Sequence, residues 1–227
     1  MGGDIIYTAS VWVLPVVVAI TLHEAAHGFV AWRLGDDTAR QLGRVSFNPL
    51  RHVDAFGTII VPALLLLARA PFLFGWAKPV PVNFGRLRQP RRDMVLVAAA
   101  GPATNLLLAL ASALLIHIAV FAPGAAQEWL IKNLVNSMII NLVLAVFNML
   151  PLPPLDGGRV AVGLLPRRFA MMLAGLERVG LLIIIGVLFI LPLIGNQLGM
   201  NLNLFPLLVR GPVVFLFDTI MSIAGHG

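Results

Sequence analysis

Thr21-Leu22-His23-Glu24-Ala25-Ala26-His27 is the stretch on which the reading of this chain turns, because it lies inside a continuous apolar run that starts near Ile5. His-Glu-x-x-His on a helix sets two imidazoles at i and i+4, one turn apart on the same face. Both rings can then reach one zinc ion, and the glutamate between them is close enough to hold the attacking water. In a soluble protein the pattern is only moderately specific, since His and Glu occupy exposed helix faces freely. Here the flanks are Val16-Val17-Val18-Ala19-Ile20 and Gly28-Phe29-Val30-Ala31-Trp32. An ionisable group at the centre of a bilayer helix costs about 2.5–3.5 kcal/mol on insertion scales. Three such groups in one membrane turn point to function ahead of a polar cluster that merely joins helices.

The composition agrees with a membrane setting. Hydrophobic residues make up 59% of the 227, charged ones 11%, and the mean hydropathy is +0.93. That balance describes one integral membrane domain over residues 1–227, with no room for a large soluble module. The net charge of +6 does not indicate nucleic acid. The basic residues fall in loops between apolar runs, without interleaved aromatics, which is the positive-inside pattern. The absence of cysteine excludes disulfides and thiolate metal sites. The N-terminus lacks a basic n-region and its apolar run leads into the metal motif, so it reads as a retained span and not a cleaved signal.

Outward from the motif, the first helix is expected over residues 5–34, with a kink at Pro15, and Gly35-Asp36-Asp37 ends it. Residues 41–47 have some strand character. The apolar segment 56–76 carries Gly57, Pro62, Pro71 and Gly75, with basic residues on both sides of it. A full crossing would put one basic cluster on the wrong face, so a re-entrant hairpin is expected. Trp76-Ala77-Lys78-Pro79-Val80-Pro81-Val82-Asn83 has two prolines and suits a short extended edge segment. Further spans are expected over residues 94–121, 129–150 and 179–194, and the tail from Asn201 either crosses or lies at the interface. The expected fold is therefore an all-α polytopic membrane protein of about five to six transmembrane helices, with the motif-bearing core at about 5–165 and C-terminal helices at about 170–227. With the N-terminus outside, 13 of the 16 basic residues face the cytoplasm, Arg69, Lys132 and Arg210 being the exceptions. The active site then lies toward the cytoplasmic side of the cell membrane.

Two histidines do not complete a catalytic zinc site, which usually has three protein ligands and an open position. His52, His117, Asp156 and Asp218 are the candidates for the third. His117 sits near the outer end of its helix, about five turns from the inner half, and His52 reads as a solvated loop histidine. Asp156 is the better choice, because it ends an apolar helix through a proline-broken turn at the depth of His27. Asp156-Gly157-Gly158 also fits an ordinary turn with a helix-capping Asp.

His23-Glu24-Ala25-Ala26-His27, Gly101-Pro102-Ala103-Thr104-Asn105 and Asn148-Met149-Leu150-Pro151…Leu155-Asp156-Gly157, in that order, resemble the site-2 proteases, the intramembrane zinc metalloproteases. Asn48-Pro49-Leu50-x-His52-x-Asp54 and Gly75-Trp76-Ala77-Lys78-Pro79-Val80-Pro81-Val82-Asn83 are similar to phrases of the compact prokaryotic branch, and the chain departs from better-known members in lacking a PDZ or CBS domain. The resemblance covers roughly residues 15–165. It implies one zinc ion per chain held by His23, His27 and Asp156, Glu24 as the general base, and Asn105 as a hydrogen-bond donor to the oxyanion or to substrate backbone. It also implies a transmembrane protein substrate, single-span by preference, that unwinds before it is cut and could pair with the 78–83 edge. Two rival readings are a metal-ion transporter or channel and an inactive homologue that serves as a scaffold. The first gives no role to Glu24, and against the second no motif residue is missing.

Overall fold

The computed structural model describes residues 2–61, 64 and 77–226. Among these residues the regular structure is entirely helical. α1 (Gly2–Arg33) is 32 residues long, about 48 Å at 1.5 Å per residue, more than the roughly 30 Å of a bilayer's hydrocarbon core. A short α2 (Thr38–Gln41) follows. Then come the long α3 (Pro90–Ala119) and α4 (Ala125–Asn148), and the short α5 (Asp156–Leu164) and α6 (Arg167–Ala174). α7 (Gly180–Gln197) and α8 (Pro206–Ile223) complete the chain, each with a wide π-type turn inside it. α1, α3, α4, α7 and α8 are long and apolar enough to cross a membrane, which matches the expected polytopic all-α class.

The bundle packs through small residues. Ala19 and Ala31 of α1 and Ala109 and Ala113 of α3 are fully buried. In lipid, where tails are as apolar as leucine, close backbone approach and interhelical hydrogen bonds replace the hydrophobic drive between helices. The main core joins Ala109, Ala113 and Ile116 of α3 to Met138 and Leu142 of α4 and to Ile220 and Ala224 at the end of α8. Polar stitches run alongside it: the Trp129 indole donates to Ser10 Oγ at 2.9 Å and Asn136 Nδ2 donates to Val11 O at 2.9 Å. Leu107, Ile118, Leu182 and Phe215 face outward and are more than half exposed, as a lipid-facing surface requires.

These contacts set helix directions. The start of α1 meets the start of α4, and the end of α3 meets the end of α8, where His117 Nε2 donates to Ala224 O and His226 Nε2 to Ala113 O. α8 thus runs parallel to α3 and belongs to the core. The tail, open between crossing and interface on sequence grounds, is a packed helix.

Two expectations change. Residues 41–47 are not a strand. The chain turns there because Gly43 adopts φ +63° and Arg44 N donates back to Ala39 O at 2.8 Å. His52 is not a solvated loop histidine, since it is buried at 3% exposure with Nε2 donating to Ser46 O. Of the segment expected to be re-entrant, 56–76, residues 62, 63 and 65–76 lie outside the described residues, and the hairpin with them. What is described begins as a helical turn, Ala55–Ile60, capped by Asp54, whose Oδ1 accepts from Gly57 N at 2.7 Å.

Candidate metal centre

His23 and His27 project from one face of α1, and Asp156 enters from the first turn of α5. All three side chains are buried. His27 Nε2 lies 3.0 Å from His23 Nε2, and Asp156 Oδ2 lies 3.3 Å from each of them. Ligand atoms about 2.0–2.1 Å from a tetrahedral zinc ion stand about 3.3 Å apart, so the triangle has the edge lengths such an ion needs. The far ring nitrogens fix what the near ones present. His27 Nδ1 is 2.7 Å from Val97 O and His23 Nδ1 is 2.5 Å from Asn105 Oδ1. A carbonyl oxygen only accepts, so each Nδ1 carries the proton and each neutral ring turns a lone pair from Nε2 inward. Asp156 Oδ2 is buried without a hydrogen-bond partner among the described residues. The two Nε2 atoms and the carboxylate oxygen therefore converge on one point, an arrangement that accommodates a single cation.

The geometry separates the two readings of Asp156. The N-cap of α5 is Leu155, and no side-chain cap bond forms, so the carboxylate serves the histidines and not the helix end. The loop that delivers it is tight. A Cβ at Gly157 would strike the carbonyls of Met149 and Leu150, and one at Gly158 would strike Leu152 and Pro153. On α3 the limiting position is Gly101, whose added Cβ would fall 2.6 Å from His23 Nε2 and closer still to His27 Nε2. Only glycine lets α3 pass directly beneath the cluster. Pro102 follows, and its missing N–H leaves the Ala98 carbonyl, one residue past Val97, without its helical donor.

Glu24 is not a corner of this triangle. Its Oε2 accepts from Val80 N at 2.7 Å, within an extended stretch, residues 77–83, that crosses beside α1. That stretch forms no strand ladder among the described residues. It is held by groups around it: Lys78 N donates to His52 O at 2.9 Å, Arg44 Nη2 to Lys78 O at 2.7 Å, and Asn83 N to Asp36 Oδ2 at 2.6 Å. Gly28, one residue past the motif, permits the closeness, since a Cβ there would stand 3.0 Å from Val45 and 3.1 Å from Val80. Of the other candidate ligands, His117 stacks on His226 at 4.1 Å between ring centroids, and Asp218 is on the exposed face of α8.

Comparison with known proteins places the chain. It is 41% identical over 200 residues to "Putative zinc metalloprotease YwhC" of Bacillus subtilis, covering 84% of this chain and 85% of that protein. The chain belongs to peptidase family M50, the site-2 proteases. The family's own sequence profile matches residues 115–193, a stretch that holds Asp156 but not the His-Glu-x-x-His motif. Among other relatives, "Putative zinc metalloprotease Rip2" of Mycolicibacterium smegmatis is 30% identical over 143 residues, covering 62% of this chain and 52% of that protein. "Putative zinc metalloprotease MJ0611" of Methanocaldococcus jannaschii is 45% identical over 64 residues, 28% of this chain and 31% of that protein. No solved structure matches the chain. Two participants in this M50 site escape sequence reasoning. The Val97 carbonyl is backbone and has no sequence signal. Asn141, which receives the Asn105 amide, is one of several asparagines in an apolar span, and nothing in the spacing says which of them faces inward.

Proposed function

We propose that this zinc metalloprotease cleaves peptide bonds within or beside transmembrane segments of other membrane proteins, with one zinc ion per chain held by His23, His27 and Asp156. The observation that carries the reading is the buried triangle of two Nε2 atoms and one carboxylate oxygen, with a glutamate beside it that is not one of its corners. When bound, the ion supplies Lewis-acid polarisation of the scissile carbonyl and lowers the pKa of water toward about 7. Glu24 is the general base: it accepts a proton from the attacking water and delivers it to the leaving amine. The Val80 N–H holds Oε2, so the proton falls to Oε1. A metal-ion transporter would have the same three ligands but no use for a carboxylate fixed by a backbone amide outside them.

A helical substrate hides its peptide bonds and must be drawn out before it can be cut. The 77–83 stretch is the candidate edge for the unwound strand. Its Lys78, Val80 and Asn83 amides are already spent, and Pro79 and Pro81 have none. A paired substrate would therefore mainly donate its own N–H groups, to carbonyls such as that of Pro81. The ends of α1 and α4 and the start of α3, with Arg33, Arg91 and Arg92, form the basic end of the bundle. The positive-inside pattern puts that end, and the site nearer to it, toward the cytoplasm. The test is incubation of purified protein with tagged single-span membrane peptides, with and without a chelator. Chelator-sensitive cleavage is expected, and absence of cleavage by zinc-loaded protein across a panel of such peptides would overturn the reading.

A further inference from the structure

A chain of buried amides runs sideways from the metal centre into the helix bundle. His23 Nδ1 donates to Asn105 Oδ1 at 2.5 Å, Asn105 Nδ2 donates to Asn141 Oδ1 at 2.7 Å, and Asn141 Nδ2 donates to Ser137 O at 2.8 Å. Asn105 is fully buried and Asn141 is 1% exposed, so the links are shielded from bulk water. The series has one direction only. Ser137 O is a backbone carbonyl and can only accept, which obliges Asn141 to present its NH2 there and its oxygen to Asn105. Asn105 must then turn its NH2 toward Asn141, and toward Ala19 O at 3.4 Å, which leaves its oxygen for His23. An oxygen at that place requires a proton on Nδ1, and the lone pair of a neutral ring is then on Nε2, toward His27 and Asp156. His27 needs no such chain, because its Nδ1 meets the Val97 carbonyl directly.

We infer that Asn141 is a positioning residue of the metal centre, acting through the orientation of the Asn105 amide to hold His23 in its ligating tautomer. This rests on the metalloprotease reading for its purpose but not for its geometry. Asn105 accordingly acts behind His23 instead of at the oxyanion, since both ends of its amide are engaged. Without Asn141, the NH2 of Asn105 loses its best acceptor and the amide can reverse. The reversed amide offers a donor to His23 Nδ1, which favours the proton on Nε2 and disables that ring as a ligand. An aspartate at 105 would escape this dependence, because both of its oxygens accept.

The experiment compares wild type, Asn141→Leu, Asn105→Asp and the double variant, each as the full chain in detergent. Nitrogen-15 NMR of the imidazoles in metal-free protein reads the His23 tautomer, and competition against a chelator reads zinc affinity. Asn141→Leu should move His23 toward the Nε2–H form and weaken zinc about 10- to 100-fold, the usual cost of losing an outer-shell partner. Asn105→Asp combined with Asn141→Leu should recover both. The relay is overturned if Asn141→Leu leaves tautomer and affinity unchanged, or if the double variant is no better than the single one. A wild type that binds zinc and cuts no peptide would defeat the protease reading while leaving this comparison intact, since the tautomer is read without metal or substrate.

Discussion

Glu24 lies next to His23 in sequence but about 100° around the helix from it, which is why its carboxylate reaches Val80 while the histidines face Asp156. Glu24→Gln keeps the shape of the side chain and removes its proton acceptor. Zinc content should be unchanged, and cleavage of a membrane peptide should fall by about 10²–10⁴-fold, the range of general-base catalysis. A variant that retains zinc and cuts at the wild-type rate would rule out Glu24 as the base. At Asp156 the expectation is reversed: Asp156→Ala should lose most bound zinc on metal analysis, while His52→Ala, whose ring bonds to Ser46 O, should keep it. Gly101→Ala makes a steric prediction. Its Cβ cannot coexist with the two Nε2 atoms, so zinc binding should be lost even though no ligand is altered.

Among the elements, the 77–83 stretch has the most at stake, because it holds the proposed base through a single backbone amide. Its anchors are unequal. Arg44 is 8% exposed and donates to the carbonyls of Lys78 and Pro79, whereas Arg86 and Asp37 form a bridge with side chains 53% and 45% exposed. A hydrogen bond from a charged, buried group contributes about 1.5–3 kcal/mol, while a surface pair contributes about 0–1 kcal/mol. Arg44→Ala should therefore speed hydrogen exchange at the Val80 amide by about 10- to 100-fold, and Arg86→Ala should leave it nearly unchanged. Equal effects would mean that the stretch is held from its far end, at Asp36 and Asn83. The short elements around Asp156 follow the same logic. Proline-rich residues 151–154 and the two glycines turn α4 into α5 within a few residues, and that turn brings a carboxylate back to the depth of α1.

For the molecule as a whole, the helix directions make a labelling prediction in a chain with no cysteine of its own. Single cysteines at Gly124 and Ser222 should react from one side of the membrane, and those at Arg51 and Arg88 from the other. The first pair follows from α8 running parallel to α3; reaction of Ser222 from the Arg88 side would reverse that assignment. The second pair flanks residues 56–76, and reaction of Arg51 and Arg88 from opposite sides would replace the hairpin with a full span.

What the sequence by itself determined is whatever depends on neighbours along the chain. The apolar runs are local sums of hydropathy, and their lengths against the bilayer's thickness made α1, α3, α4 and α7 legible. The pairing of His23 with His27 is fixed by the helical repeat, so two candidate metal ligands and the glutamate beside them could be read with no fold in hand. What only the tertiary structure decided are contacts between distant residues: His27 with Val97, 70 positions away, His23 with Asn105, 82 away, and Asn105 with Asn141, 36 away. The same holds for Asp156, whose two sequence readings differ only in what its carboxylate faces, and for His52, which is buried and whose backbone carbonyl accepts from the Lys78 amide. Helix periodicity fixes the angle between side chains on one helix, but which face of that helix meets which face of another is set by packing the whole bundle at once.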